Sequence, residues 1–187
     1  MGIFDRFRGS RGPTEEWRAQ HRLLVVDLDA LEFCGVGFGG PIDRLSFLGP
    51  SESKWYDYHR KGLSLDVEDG RFRGVQVALR DDAFLGTASK EPVLSFPGRI
   101  RMAGSDYKPS ELTSEDDFVS ALGEPYWREE DEVEVVLYYE ISENGAEIQV
   151  EITDEGPQVV LFSDEPLMAD PEQRALQGVD RPWPPDS

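Results

Sequence analysis

Two histidines, one cysteine, a glycine run and a surplus of carboxylates are the groups in this chain whose types suit chemistry. His21 and His59 stand in different contexts, and neither has a second metal ligand close by in sequence. His59 sits among Tyr58, Arg60 and Lys61 at a turn and reads as exposed; His21 is given no role. The spacings Cys-x-x-Cys, His-Glu-x-x-His and Gly-x-Ser-x-Gly do not occur in the sequence. Cys34 lies in the apolar run LEFCGVGF and reads as a small buried hydrophobe. Gly35, Gly37, Gly39 and Gly40 follow the pattern G-x-G-x-G-G with no long helix after them, so they read as interruptions of a strand and not as a phosphate cradle. Asp66-Val67-Glu68-Asp69-Gly70 mimics a calcium loop, but its acids miss the required register when Gly70 takes the glycine position, and a turn is expected. Carboxylate pairs occur throughout, so pairing singles out no acid/base couple. The expectation is no catalytic residue, no metal site and no cofactor.

One stretch resembles a known catalytic motif. The apolar run ending Asp27-Leu28-Asp29 looks like the first motif of haloacid dehalogenase-type phosphatases. The resemblance implies a nucleophile at Asp27, an acid/base at Asp29, a Mg²⁺ joining them, and later metal-binding acids at Asp81 and Asp82. Ala30-Leu31 stands where that family usually has Gly-Thr. The fold also needs several crossovers of ~30 residues each, whereas the residues between Asp29 and Asp81 read mostly as hairpins. A Mg-dependent phosphatase using Asp27 and Asp29 is therefore the alternative reading, and a strand with aspartates at its polar positions is the preferred one.

The elements around these residues follow from periodicity. Pro13-Thr14-Glu15-Glu16 reads as a helix start, running to about His21. Leu23 to Phe38 is rich in strand-favouring residues. In Pro41 to Pro50, Ile42, Leu45 and Leu48 share one helical face, and Gly49 ends the turn. WYDYH, LSLDVE and RFRGVQVAL read as three strands, with Leu63, Leu65 and Val67 on one face and a hairpin turn at Asp69-Gly70. After a connector at residues 81–92, PVLSFPGRIRMAG supplies another strand or two. Thr113 to Pro125, TSEDDFVSALGEP, reads as a capped helix with Phe118 and Leu122 on one face and Gly123 as its stop. EVEVVLYYEI, AEIQVEI and QVVLF follow as strands, with Val133, Val135, Leu137, Tyr139 and Ile141 on one face and a hairpin at Asn144-Gly145. A short helix is expected at Pro171 to Gln177.

The order strand, short helix, Leu-Gly stop, three strands occurs twice. Leu48-Gly49 aligns with Leu122-Gly123, Tyr58 with Tyr139, LSLDV with AEIQV and VQVAL with QVVLF. The expected fold class is α+β: two tandem copies of a short helix plus antiparallel strands, with the helices on one face of a mostly antiparallel sheet. The expected segments are an arm and short helix at 1–22, a first repeat at 23–92, a second at 93–167 and a tail at 168–187. The pattern helix-Leu-Gly-x-Pro-strand, in tandem, resembles the small α/β module found twice in β-lactamase inhibitory protein and once in the small outer-membrane assembly lipoprotein. That resemblance implies a binding module without catalytic residues.

Charge narrows the function classes. The net charge of −19 disfavours nucleic acid and anionic lipid as partners. Residues 31–80 hold seven acids and seven bases, whereas residues 111–156 hold sixteen acids and one base, Arg128. The favoured reading is a non-enzymatic protein-binding, inhibitor or immunity-like module whose acidic second copy meets a basic protein surface. Its candidate contacts are Trp127, Glu129, Glu130, Asp131, Glu134, Glu140, Glu147 and Glu151. Trp127 reads as a loop residue, and the glutamates at alternating strand positions read as solvated. A further alternative is a structural or assembly accessory protein recruited by residues 1–12, where Phe4 and Phe7 stand beside arginines. With one cysteine, no stretch of the ~20 apolar residues a membrane span needs and no secretory h-region, the expected location is cytoplasmic.

Overall fold

The computed structural model describes residues 18–19, 21–49, 55–85, 92–141, 145–176 and 178–179. The arm at 1–12, most of the helix expected from Pro13, the Asn144 turn residue and Trp183 lie outside them. Arg18 and Ala19 are irregular and His21 is in a turn.

The Leu23–Phe38 run gives three short strands, β1 (Val25–Asp27), β2 (Glu32–Phe33) and β3 (Val36–Gly37). A 3-10 helix follows at Ile42–Leu48, burying Ile42, Leu45 and Leu48 as their spacing requires. Three strands then run back and forth: β4 (Trp55–Tyr58), β5 (Leu63–Glu68) and β6 (Arg71–Ala78). Asp69 (φ 49°) and Gly70 (φ 73°) are both left-handed between β5 and β6, the backbone that a two-residue hairpin demands. After the connector come β7 (Arg99–Met102) and β8 (Ser105–Tyr107), and then helix α1 (Glu115–Leu122). The Asp117 carboxylate caps α1 by accepting from the N–H groups of Thr113 (2.8 Å) and Ser114 (2.9 Å), which holds its pKa below the ordinary carboxylate value. Gly123 (φ 86°) ends the helix. Strands β9 (Trp127–Glu130), β10 (Glu134–Ile141), β11 (Ala146–Thr153) and β12 (Gly156–Ser163) complete the sheets. A 3-10 turn at Leu167–Ala169 and helix α2 (Pro171–Leu176) close the chain.

Among the described residues the strands form two sheets. The smaller has the order β3-β2-β1-β7-β8 and the larger β4-β5-β6-β12-β11-β10-β9. The first part of the chain gives β1, β2 and β3 to the smaller sheet and the β4-β5-β6 meander to the larger; the second gives the β7-β8 hairpin and the four strands β9 to β12. The halves meet at two ladders: β1 runs parallel to β7, and β6 antiparallel to β12 with Val77 opposite Val160. Both long hairpins slip register near their turn, between Asp66 and Val67 in β5 and between Glu151 and Ile152 in β11.

The main core draws on both sheets and both halves. Val26, Phe33 and Ile100 come from the smaller sheet, Leu65, Phe72, Ile148 and Phe162 from the larger, with Leu45 and Phe118 from the helical segments. Phe38, Phe72 and Phe162 meet at centroid distances of 5.4 to 6.2 Å, one pair stacked and two edge to face, tying the residue after β3 to the adjacent strands β6 and β12. Among the described residues strand content is about twice helix content, 42% against 20%, which fits the α+β class.

The helical segments of the two expected copies, Ile42–Leu48 and α1, share the main core through Leu45 and Phe118. Phe118 of α1 packs into the main core, whereas Leu167 packs on the opposite side of the larger sheet with Val136, Tyr138 and Val179. Val133, expected on the core face, is 73% exposed because β10 begins one residue later. Among the described residues no helix is long and apolar enough to cross a membrane.

Candidate functional site

The outer face of the larger sheet, turned away from the main core, is where the polar groups gather. Alternation alone would leave it solvated. Register instead lines up Asp57, Ser64, Gln76, Leu161, Gln149, Tyr138 and Trp127 as one row across all seven strands. In the neighbouring row Glu151 stands opposite Val136 and Val159, and Val136 stands opposite Glu129. On the other side of the first row Glu147 stands opposite Glu140 and Ser163.

Two segments cover this face. Ala83, Leu85 and Val93 pack on Ala78 and Val159. Leu167 and Val179 pack with Val136, Tyr138, Tyr126 and Trp127. The cover is close enough that Glu147 is 1%, Gln149 4% and Glu151 7% exposed. Two of the proposed contact residues, Glu147 and Glu151, are therefore not solvated, because the chain beyond β12 folds back over them. Leu167 N donates to Glu147 Oε1 (3.2 Å), and Gln149 Nε2 donates to the same oxygen.

The electrostatics follow from this burial. Burial, with the Glu134 carboxylate as a second cause, pushes Glu151 up to about 8. Glu134 is itself raised, by burial first and then by Asp131 and Glu129. Tyr138 donates to Glu129 Oε2 (3.1 Å), and burial together with Glu129, Glu147 and Glu151 raises its pKa. Among the described residues Gln149 Oε1 and Trp127 Nε1 are fully buried and have no hydrogen-bond partner.

The eight proposed contacts divide accordingly. Trp127, Glu129, Glu134, Glu140, Glu147 and Glu151 share the outer face, while Glu130 and Asp131 are exposed at its rim. Trp127 is not in a loop but opens the edge strand β9. Asp131 folds its carboxylate onto the N–H groups of Val133 (2.7 Å) and Glu134 (2.9 Å), which lowers its pKa. Arg128 joins Glu115 of α1 (3.0 Å) to Glu130 of β9.

At the far end of the polar row Ser64 Oγ donates to Asp57 Oδ1 (2.6 Å). His59 beside them is buried, not exposed as expected, because its carbonyl is clamped by the N–H groups of Gly62 (2.9 Å) and Leu94 (3.1 Å) as the segment after the connector passes over it. Burial lowers its pKa, against the opposing pull of Asp57.

Asp27 and Asp29 lie elsewhere, at the tip of β1, which does run parallel to a neighbour. Asp27 Oδ1 accepts from the N–H groups of Asp29 (3.1 Å) and Ala30 (3.0 Å), and its Oδ2 meets Arg101 Nη1 (3.2 Å). Asp29 accepts from Ala103 N (2.8 Å) and Gly104 N (2.9 Å). Asp27 thus ties the β1 tip to Arg101 of β7, and Asp29 ties it to the turn between β7 and β8. Asp81, at the start of the connector, accepts from Ser95 N (2.7 Å) in the segment that follows it. Among the described residues no cluster of three His, Cys, Asp or Glu side chains is placed to hold a metal ion.

Sequence reasoning missed Tyr138, Gln149, Leu167 and Val179. One signal was available: Val135 to Tyr139 is apolar or aromatic at both parities, as a strand buried on both faces must be. Comparisons with protein-family models, curated proteins and solved structures give no match to this chain.

Proposed function

We propose that this chain is a non-enzymatic protein-binding module, inhibitor or immunity-like, built from a duplicated unit and working in the cytoplasm. The duplication reading draws support from element order. Short strands of the smaller sheet, a helical segment and a meander of the larger sheet follow in the same order twice, both long hairpins slip register at a matching place, and Gln76 and Leu161 face each other where a local dyad would pass. With Tyr58 on Tyr139, the pairings Tyr58 with Leu63 and Tyr139 with Ile148 put Leu63 on Ile148, two residues beyond the Ala146 that the alignment of LSLDV with AEIQV gives it.

The observation that carries the binding reading is the uncompensated acid along α1 and β9. Arg128, the one base in residues 111–156, is held by Glu115 and Glu130. Asp116, Glu124, Glu130, Asp131 and Glu132 are exposed around it. Such a rim attracts a basic protein surface and speeds encounter. The edge strand β9 invites little strand-to-strand pairing because three of its four residues are charged.

The test is a pull-down from the native cell at low and high salt, with the full chain and with the variant Glu130→Lys, Asp131→Lys, Glu132→Lys. A partner held at low salt, released at high salt and lost in the variant supports the reading. A partner indifferent to salt and to the reversed charges sinks it.

A further inference from the structure

We propose that the C-terminal segment from Leu167 to Val179 is a replaceable cover, and that the face of β10 and β11 beneath it receives an arginine side chain from a basic partner protein. This rests on the reading of the chain as a binding module for a basic protein.

The cover is lightly held. Helix α2 buries none of its side chains, and Leu176 is 78% exposed. Its buried apolar contacts among the described residues are those of Leu167 and Val179 with Val136, Tyr138, Tyr126 and Trp127, and the Leu167 N–H donates to Glu147; Asp170 and Arg174 make further polar contacts. Segments with so few buried contacts open at low cost.

Beneath the cover, hydrogen-bonding capacity is left over. Gln149 Oε1, on a side chain 4% exposed, has no partner among the described residues, and its amide nitrogen already points to Glu147. Glu151 sits one pair further along the same face. A buried acceptor without a donor is costly, and this one stands in an acidic surround. A guanidinium suits it, being donor-only, planar and permanently charged, with several N–H groups to share between an amide oxygen and carboxylates. Trp127 and Tyr138 add ring faces on which a guanidinium stacks. The second orphan, Trp127 Nε1, is a donor, which a bare cation leaves unsatisfied but a peptide carbonyl beside the arginine satisfies. That pairing of needs favours a protein partner over an amine or a metal. At neutral pH the Glu151 carboxyl keeps its proton among Glu134, Glu129, Glu147 and Tyr138, so an arriving cation displaces a proton from it.

The probe is a blocked Gly-Arg-Gly peptide, with Gly-Lys-Gly as control, titrated into the full chain. NMR follows the Trp127 indole N–H and the Gln149 side-chain amide. The expected result is saturable shifts of both signals, about tenfold tighter binding in Val179→Asp, and about tenfold weaker binding in Glu151→Gln and in Gln149→Leu, with arginine preferred to lysine. Circular dichroism checks that each variant is folded. Absent shifts in both the parent chain and Val179→Asp overturn the proposal, as does binding unmoved by Glu151→Gln and Gln149→Leu. Arg181 of the same chain lies outside the described residues, and if Arg181→Gln tightens binding as much as Val179→Asp does, the occupant is the chain's own tail and the proposal falls. Loss of partner capture in the rim variant with no peptide response overturns this inference alone. Peptide binding beneath the cover with partner capture indifferent to salt counts against the rim reading alone.

Discussion

Replacing Glu151 with glutamine removes one titrating carboxyl from the outer face while keeping the size of the side chain. In the folded chain that carboxyl titrates at about 8, against an ordinary 4.5. The folded state therefore holds the proton more tightly than the unfolded state. The sign follows: this contribution to stability is fully present below pH 4.5 and is lost as pH rises through about 8. At about 1.4 kcal/mol per pKa unit, the loss reaches about 3 kcal/mol at pH 7. Glutamine stays neutral throughout, so Glu151→Gln exceeds the parent chain in stability by about 3 kcal/mol at pH 7, which is a rise of about 6–12 °C in Tm for a chain of this size. Urea unfolding followed by far-UV circular dichroism, at intervals from about pH 5 to about pH 9, measures the gap. Glu140 and Asp164 are also raised, but both proteins contain them and they cancel in the difference. A gap that does not change across that range refutes the placement of Glu151 in a water-poor site.

Three other expectations follow from single contacts. Asp117→Ala removes the cap on α1 and costs about 1–2 kcal/mol, read as a lower urea midpoint with an unchanged slope. Asp29→Ala frees the N–H groups of Ala103 and Gly104, costs about 1–2 kcal/mol, and speeds amide exchange at those two positions in particular. Gly62→Ala is expected to be the most damaging of the set: the residue is left-handed (φ 51°) and a methyl group there meets the Leu94 carbonyl and the Phe96 nitrogen, so expression of soluble protein drops sharply.

Legibility in the sequence tracked the range of the interactions. β5, its Asp69-Gly70 turn, α1 with its acidic first turn, and β11 were readable because their determinants lie within a few residues. Leu63, Leu65 and Val67 do face the core, as do Ile148 and Val150. The pairing of β1 with β7 was not readable, since three residues, Val25 to Asp27, carry no information about a partner 74 positions away. The outer face was misread for a related reason. Alternation reports which residues point together, not whether a later segment will cover them, so Glu147 and Glu151 looked solvated until Leu167 and Val179 were placed. His59 went wrong in the same way, under a segment ending at Phe96.

The ladder between β6 and β12 also sets the order in which the chain can finish itself. While the ribosome is still extending it, β6 has a bare edge until Ser163 has emerged, and the wait from Ala78 is about 85 residues. At roughly 5–20 residues per second that is about 4–17 seconds of synthesis. During that interval an unpaired strand containing Val75 and Val77 faces whatever is nearby, including the same strand on a neighbouring nascent chain. Crowded polysomes are thus the hazard this architecture creates for itself, and slow translation lengthens it.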